Sequence, residues 1–311
     1  MLDTPVLFLI FNRPDTTKLV FEQIRSAKPK LLFIAADGPR DGNASDKINC
    51  EEVKKFVLDK IDWNCRVSTL FREQNLGCGT AVSTAISWFF EHVEKGIILE
   101  DDCLPNQSFF FFCSELLERY KENHSFMHIT GTNYDDKIKF GNGSYYLSSY
   151  PHVWGWATWR RAWKNYDFEL NNELLYNNLI ERKFKDPFEK QFWKSRIKLI
   201  KDKTVSAWDY QWMLSIWKAN GLCLNTNYNL VVNIGFNNDA THTKGESPYV
   251  DSHLKCIDEI NHPSILSIVE GSEEVFIEQV HGIRRKGYAQ YYSQRFRNLI
   301  DKIKKVLYKI I

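Results

Sequence analysis

The 311-residue sequence has no apolar run of about 18 residues, so no membrane-spanning helix is expected. Met1-Leu2-Asp3-Thr4-Pro5 lacks the basic-then-apolar order of a secretory leader. Cysteines at positions 50, 65, 78, 103, 113, 223 and 256 are odd in number, and no two are spaced C-x-x-C. That argues against a disulfide framework or a thiolate zinc cage and for free thiols in a reducing cytosol. Internal repeats and low-complexity tracts are also missing. What is present suits a large folded body: 43% hydrophobic and 26% charged residues exclude wholesale disorder. The net charge of +2 is an average of unlike parts. From Arg284 onward stand nine of the 41 basic residues and one of the 39 acidic ones, so the body is six charges negative and the tail eight positive.

Apolar runs of strand length alternate with helical spacing through the first hundred residues. Pro5–Phe11, Leu31–Ala36, Cys65–Phe71 and Gly96–Leu99 read as strands, the first two covered on both faces. Thr16–Ala27 (through Leu19, Phe21 and Ile24), Ala44–Asp59 (through Ile48, Val53 and Phe56) and Gly77–His92 read as helices. This alternation predicts an α/β fold with a mostly parallel sheet between helices. Beyond about residue 125 the alternation breaks. Phe126–Thr130, Tyr145–Ser149 and Leu230–Ile234 are expected as strands, and Ala157–Lys164, Phe188–Ile200 and Tyr210–Asn220 as helices. No linker separates the halves, so residues 1–283 are expected to form one domain, with a nucleotide-binding half to about 125 and an acceptor half to 283.

In such sheets ligands bind beyond the carboxyl ends of the strands. Those ends are polar here: Asn12 and Arg13, then Asp37, then Arg72 and Asn75, then Glu100, Asp101 and Asp102. Adjacent carboxylates repel and call for a cation or strong donors. Hard divalent ions take carboxylate oxygens together with substrate phosphates. The acid run is therefore a candidate metal–diphosphate site, with a solvated turn and helix cap as the plainer reading.

Six stretches, in order, carry a resemblance. They are Phe11-Asn12-Arg13-Pro14, Ala36-Asp37-Gly38-Pro39-Arg40, Asn75-Leu76-Gly77, Glu100-Asp101-Asp102, Trp154-Gly155-Trp156-Ala157-Thr158-Trp159, and Asn233-Ile234-Gly235-Phe236 with Asp239-Ala240-Thr241-His242-Thr243. Together they resemble the GT-A glycosyltransferases, the nucleotide-diphospho-sugar transferase fold with a Rossmann-like sheet. Closer still, the whole chain resembles bacterial glycosyltransferase-like proteins, some of them mislabelled "hemolytic protein". The Glu-Asp-Asp spelling is also similar to that of the N-acetylglucosaminyltransferase branch.

The resemblance implies a Mn2+ or Mg2+ ion held by Asp102 and His242, with Asp101 on the ribose or a metal-bound water and Glu100 in a supporting, structural place. It implies Arg13 near the phosphates or ribose, which suits a guanidinium fork. Asn12 either joins Arg13 or caps the following helix. Asp37 either accepts from a uracil N–H or opens an Asp-Gly-Pro turn. Arg72 and Asn75 complete the nucleotide side. Asp209, at the expected start of a helix, is implied as the base that takes the acceptor hydroxyl's proton in an inverting transfer. Its alternative is a plain N-cap, Asp135 and Asp136 are competing carboxylates, and a retaining mechanism is left open. Trp154 and Trp156 are candidate platforms for a pyranose and Gly155 a point of close backbone approach; a core aromatic cluster is the alternative. Trp159 and Trp163 are expected to pack inward.

In the tail, Tyr288, Tyr291, Tyr292, Phe296, Leu299, Ile303, Val306, Leu307 and Ile310 recur at helical spacing among the cations. Such a basic amphipathic helix suits an anionic membrane surface or a docking site on protein. The implied partners are thus a nucleotide-sugar donor, a glycan or lipid-linked acceptor and the inner face of the cytoplasmic membrane, with no nucleic acid and with the oligomeric state open. Two rival classes remain. A noncatalytic glycan-binding protein would not need the acid cluster. A dinucleotide-binding oxidoreductase is suggested only by Gly77-Cys78-Gly79, where Val82 replaces the third glycine and the motif follows the third strand.

Overall fold

A computed structural model describes residues 1–134, 138–236, 253–269 and 271–281. To Arg119 strand and helix alternate: β1 (Val6–Ile10), α1 (Pro14–Ala27), β2 (Leu31–Ala36), α2 (Ala44–Asp59), β3 (Arg66–Phe71), α3 (Cys78–His92), β4 (Lys95–Glu100), a short β5 (Cys103–Pro105) and α4 (Gln107–Arg119). There follow β6 (Phe126–Thr130), β7 (Tyr145–Ser148), β8 (Trp156–Trp159), the single turn α5 (Arg160–Trp163), α6 (Glu173–Lys183), α7 (Pro187–Lys201), α8 (Asp209–Lys218), β9 (Leu222–Thr226), β10 (Val231–Asn233) and α9 (Ser272–His281).

Among the described residues eight strands form one sheet in the order β3-β2-β1-β4-β8-β6-β9-β7. β3, β2, β1 and β4 are mutually parallel; β8 runs antiparallel between β4 and β6, and β7 closes the far edge antiparallel to β9. The fold is the expected α/β architecture with a mostly parallel central sheet flanked by helices. Strand β1 is buried along its whole length because both faces are covered. Leu7 and Leu9 enter a core with α3, α7 and α8, whereas Val6, Phe8 and Ile10 enter one with α1, α2 and α4. The pleat sends alternate residues to opposite layers.

Some expectations change. Ala157–Lys164 is not a helix: Trp156–Trp159 forms β8, and only Arg160–Trp163 turns helically. The short run Trp-Ala-Thr-Trp fits either period. The gap between β4 and β6 decides, since it takes Trp156 on one face and Ala157 and Trp159 on the other. Leu19 and Ile48, expected on buried helix faces, are exposed, and Val20 and Cys50 are buried instead. Trp159 and Trp163 do pack inward, their indoles donating to the Leu117 carbonyl and the Ser87 hydroxyl. The basic tail, His242, Asp135 and Asp136 lie outside the described residues. Among those described, no helix is long and apolar enough to cross a membrane.

Candidate functional site

Strands β1 and β4 are parallel neighbours, with Leu9 opposite Glu100, so the polar residues after each emerge side by side. The Phe11 N–H donates to Asp101 Oδ2 at 2.9 Å. Arg13 Nη1 lies 2.5 Å from Asp102 Oδ2 and 3.5 Å from Asp101 Oδ1. Arg13 thus supplies part of the countercharge that an acid run demands. Burial works against its charge, but Asp101, Asp102 and Glu100 outweigh that and raise its pKa. One guanidinium does not balance the cluster. Burial, then the charges of Asp102, Asp101 and Asp209, push the Glu100 pKa far up. Burial and Asp102 push Asp101 up to about 7 against the pull of Arg13.

The second half of the chain closes over this motif. Strand β10 pairs antiparallel with β5, placing Asn233 opposite Cys103. The Ile234 N–H then donates to the Asp102 carbonyl at 2.8 Å, and the Gly235 N–H to Asn233 Oδ1 at 2.8 Å. Asn233-Ile234-Gly235-Phe236 therefore lies across Glu100-Asp101-Asp102, although 130 residues separate them in sequence.

Two cavities meet here. A slot of about 190 Å3 lies over β1, β2 and the start of α3, with Phe11, Asp37, Arg40, Arg72 and Asn75 in its wall. A cleft of about 610 Å3 opens beside it, lined by Asp102, Asp209, Trp154, Trp208 and Tyr210 among others. Arg13, Cys78 and Glu100 line both.

Helix α8 begins at Asp209, which reaches the cleft because the loop before it is clamped onto α3. Ser206 Oγ accepts from the Gly79 N–H at 3.0 Å, and a side chain at Gly79 would collide with the Ala207 backbone. Glycine is required there by close approach, not by a dinucleotide.

The other expected residues divide. Asn12 does not cap α1; its amide donates to Asp46 Oδ1 at 2.7 Å, and Arg13 occupies the cap position. Asp46, which was not singled out in the sequence, is a buried carboxylate at the start of α2 that also binds Arg40. Arg40, with some help from Asn12, holds its pKa below the ordinary value. Asp37 takes N–H donors from Gly38, Leu76 and Gly77 and from Asn75 Nδ2, at 3.0–3.1 Å. Its oxygens organise the α3 entry loop, and residues 37–40 form no regular turn. Burial still raises its pKa against those donors. Arg72 Nη2 donates to Thr84 Oγ1 at 2.7 Å at the slot wall, where burial lowers its pKa.

Trp154 is half-buried and faces the cleft. Trp156 does not: it is fully buried, stacked on His128 at 4.9 Å and Trp208 at 5.6 Å, so it is a core residue and not a sugar platform. Gly155, with φ of 65°, makes room for Val231 of β10, not for a ligand. Glu100 and Cys78 line both cavities; the sequence reading gave Glu100 a supporting place and passed over Cys78. The signal for Cys78 was its position at the first turn of α3. Burial raises its thiol pKa, so it stands as an inert thiol between the cavities.

No family model matches the chain, and no curated protein sequence matches it. Among solved structures it is similar to HddC from Yersinia pseudotuberculosis (12% identity over 54% of this chain and 84% of that one, TM-score 0.34). It is similar to 4-diphosphocytidyl-2C-methyl-D-erythritol synthase from Anaerococcus prevotii (9% identity, 62% and 84% covered, TM-score 0.32). It is also similar to a UDP-glucose pyrophosphorylase complexed with UDP-glucose (10% identity, 73% and 93% covered, TM-score 0.37). At these scores the likenesses assign no activity, and what the chain does is read from its own residues.

Proposed function

We propose that the chain is a glycosyltransferase that moves a sugar from a nucleotide diphosphate donor, UDP-linked in this reading, to a glycan or lipid-linked acceptor of a bacterial surface polysaccharide, with inversion. The observation that supports this most is the junction of the two cavities at Arg13, Cys78 and Glu100. A nucleoside suits the slot, a diphosphate the guanidinium at the junction, and two sugars the larger cleft.

The donor set fits a hard divalent ion. Glu100, Asp101 and Asp102 crowd around the Arg13 guanidinium with Asp209 near enough to raise the Glu100 pKa, and a diphosphate adds further negative charge. Among the described residues no group of three His, Cys or carboxylate side chains is placed to hold a metal ion, so the protein would supply fewer ligands than that. Mg2+-like ions are ordinarily held by one or two carboxylates plus substrate phosphates. Asp102 is the proposed ligand for Mn2+ or Mg2+, and the sequence resemblance adds His242, which lies outside the described residues. Such an ion, when bound, stabilises charge on the departing diphosphate. Asp209 takes the proton from the acceptor hydroxyl. Trp154 offers a face for a sugar ring.

The test is a screen of nucleotide sugars with manganese, scored by released nucleoside diphosphate. Turnover is expected with a UDP-sugar, and Asp102→Asn is expected to abolish it. Asp209→Asn should lower kcat by about 10²–10⁴-fold while UDP still binds. No stabilisation of the protein by any nucleoside diphosphate sinks the reading. Glycan binding without donor turnover would favour a noncatalytic protein.

A further inference from the structure

The larger cleft has a wall of one arginine and two imidazoles that the donor chemistry does not use. Arg196, on α7, lines it. Its guanidinium carbon lies 4.6 Å from the Phe192 ring centre and 5.6 Å from that of Tyr210, so two rings fix its plane. Other cations of this helix are paired: Lys190 and Lys194 with Glu181, and Lys198 with Asp202. Arg196 has no carboxylate partner among the described residues, and its Nε is buried without a hydrogen bond.

Two imidazoles line the same cleft. His152 stacks on Phe276 at 4.4 Å, and His281 packs against Phe192 at 4.9 Å and Phe276 at 5.5 Å. The rings thereby connect all three basic side chains. His152 and His281 each have a buried Nε2 without a partner among the described residues. His152 Nδ1 faces the Thr132 carbonyl at 3.2 Å, which places its proton on Nδ1 and leaves Nε2 as an acceptor. Burial depresses both pKa values, to about 3 for His152 and, with the charge of Arg196, to about 4 for His281.

We propose that Arg196, flanked by the uncharged imidazoles of His281 and His152, forms an anion-binding subsite of the cleft that takes a carboxylate or phosphate carried by a sugar acceptor. This rests on the larger cleft being the acceptor side. A rigid, unpaired guanidinium matches an oxyanion with two parallel hydrogen bonds. A partly buried charge without a partner is costly, so the cleft stores a demand that an anion meets. Tyr210, which packs on Arg196, directly follows Asp209. An acid group held at Arg196 therefore fixes the acceptor beside the proposed base.

The experiment is calorimetric titration of the full chain with methyl glucuronide, glucose 6-phosphate and methyl glucoside, with UDP titrated in parallel. At least one anionic sugar is expected to bind about tenfold or more tightly than the neutral one. Which one does so identifies a carboxylate or a phosphate as the ligand group. Arg196→Gln should remove that advantage and leave UDP binding unchanged. Equal binding of anionic and neutral sugars by the unaltered protein overturns the proposal, as does an advantage that survives Arg196→Gln. Should that variant not fold, Arg196→Lys keeps charge without the fork; a reduced advantage supports the subsite and an unchanged one overturns it. Loss of UDP binding with the anion preference intact refutes the donor reading alone.

Discussion

Trp154 and Trp156 stand two residues apart and have different fates. Trp156 is completely buried, and its indole stacks between His128 and Trp208. Truncating a buried Trp removes transfer energy and leaves a cavity, so Trp156→Ala should cost roughly 3–5 kcal/mol in urea denaturation. Trp154→Ala should leave that midpoint nearly unchanged and raise the KM for acceptor. A loss of activity in Trp156→Ala at full stability would restore the sugar-platform reading. The sequence shows both indoles in one aromatic stretch. It does not show which face of a strand each occupies, because a run of four residues carries no clear period.

At the scale of elements, β6 and α8 are joined by a buried polar link. His128 on β6 accepts from the Trp212 indole of α8 at 3.1 Å and donates from Nε2 to the His152 carbonyl at 2.9 Å. Burial lowers its pKa to about 3. Between about pH 3 and 6.5 the unfolded chain therefore binds a proton that the native chain refuses. Stability owed to His128 is present above pH 6.5 and is lost progressively as pH falls below it. His128→Gln, which can still accept and donate, should flatten the slope of unfolding free energy against pH over 5–6.5 by up to about 1.4 kcal/mol per unit. An unaltered slope would show that His128 is already charged in the native protein. The same link explains how α8 is held so that Asp209 faces the cleft.

At the scale of the whole molecule, the charge division matters more than the near-neutral sum. The acidic body brings Glu100, Asp101 and Asp102 to the cavities, and the cations of the tail are a separate stretch of sequence. We propose that residues 284–311 hold the protein at an anionic membrane surface. Deleting them should lower co-sedimentation with phosphatidylserine vesicles, most strongly at low salt, since polybasic attraction is screened within a Debye length. Sedimentation that is the same with and without the tail would place the cations against protein instead.

Four parallel strands, the helices between them and the polar strand ends were legible in the sequence because each depends on local pattern: buried runs, helical spacing, and the break after each strand. Arg13, Asp101 and Asp102 were legible for the same reason, since β1 and β4 need only be neighbours to bring them together. Tertiary structure alone decided the rest. It wedged Trp156–Trp159 into the sheet as β8, laid Asn233–Phe236 over the acid run, made Asp37 a loop anchor, and joined Arg196, His152 and His281 on one wall. Those outcomes depend on contacts between residues far apart in the chain, whose formation is governed by shape and burial and leaves no periodic mark on the sequence.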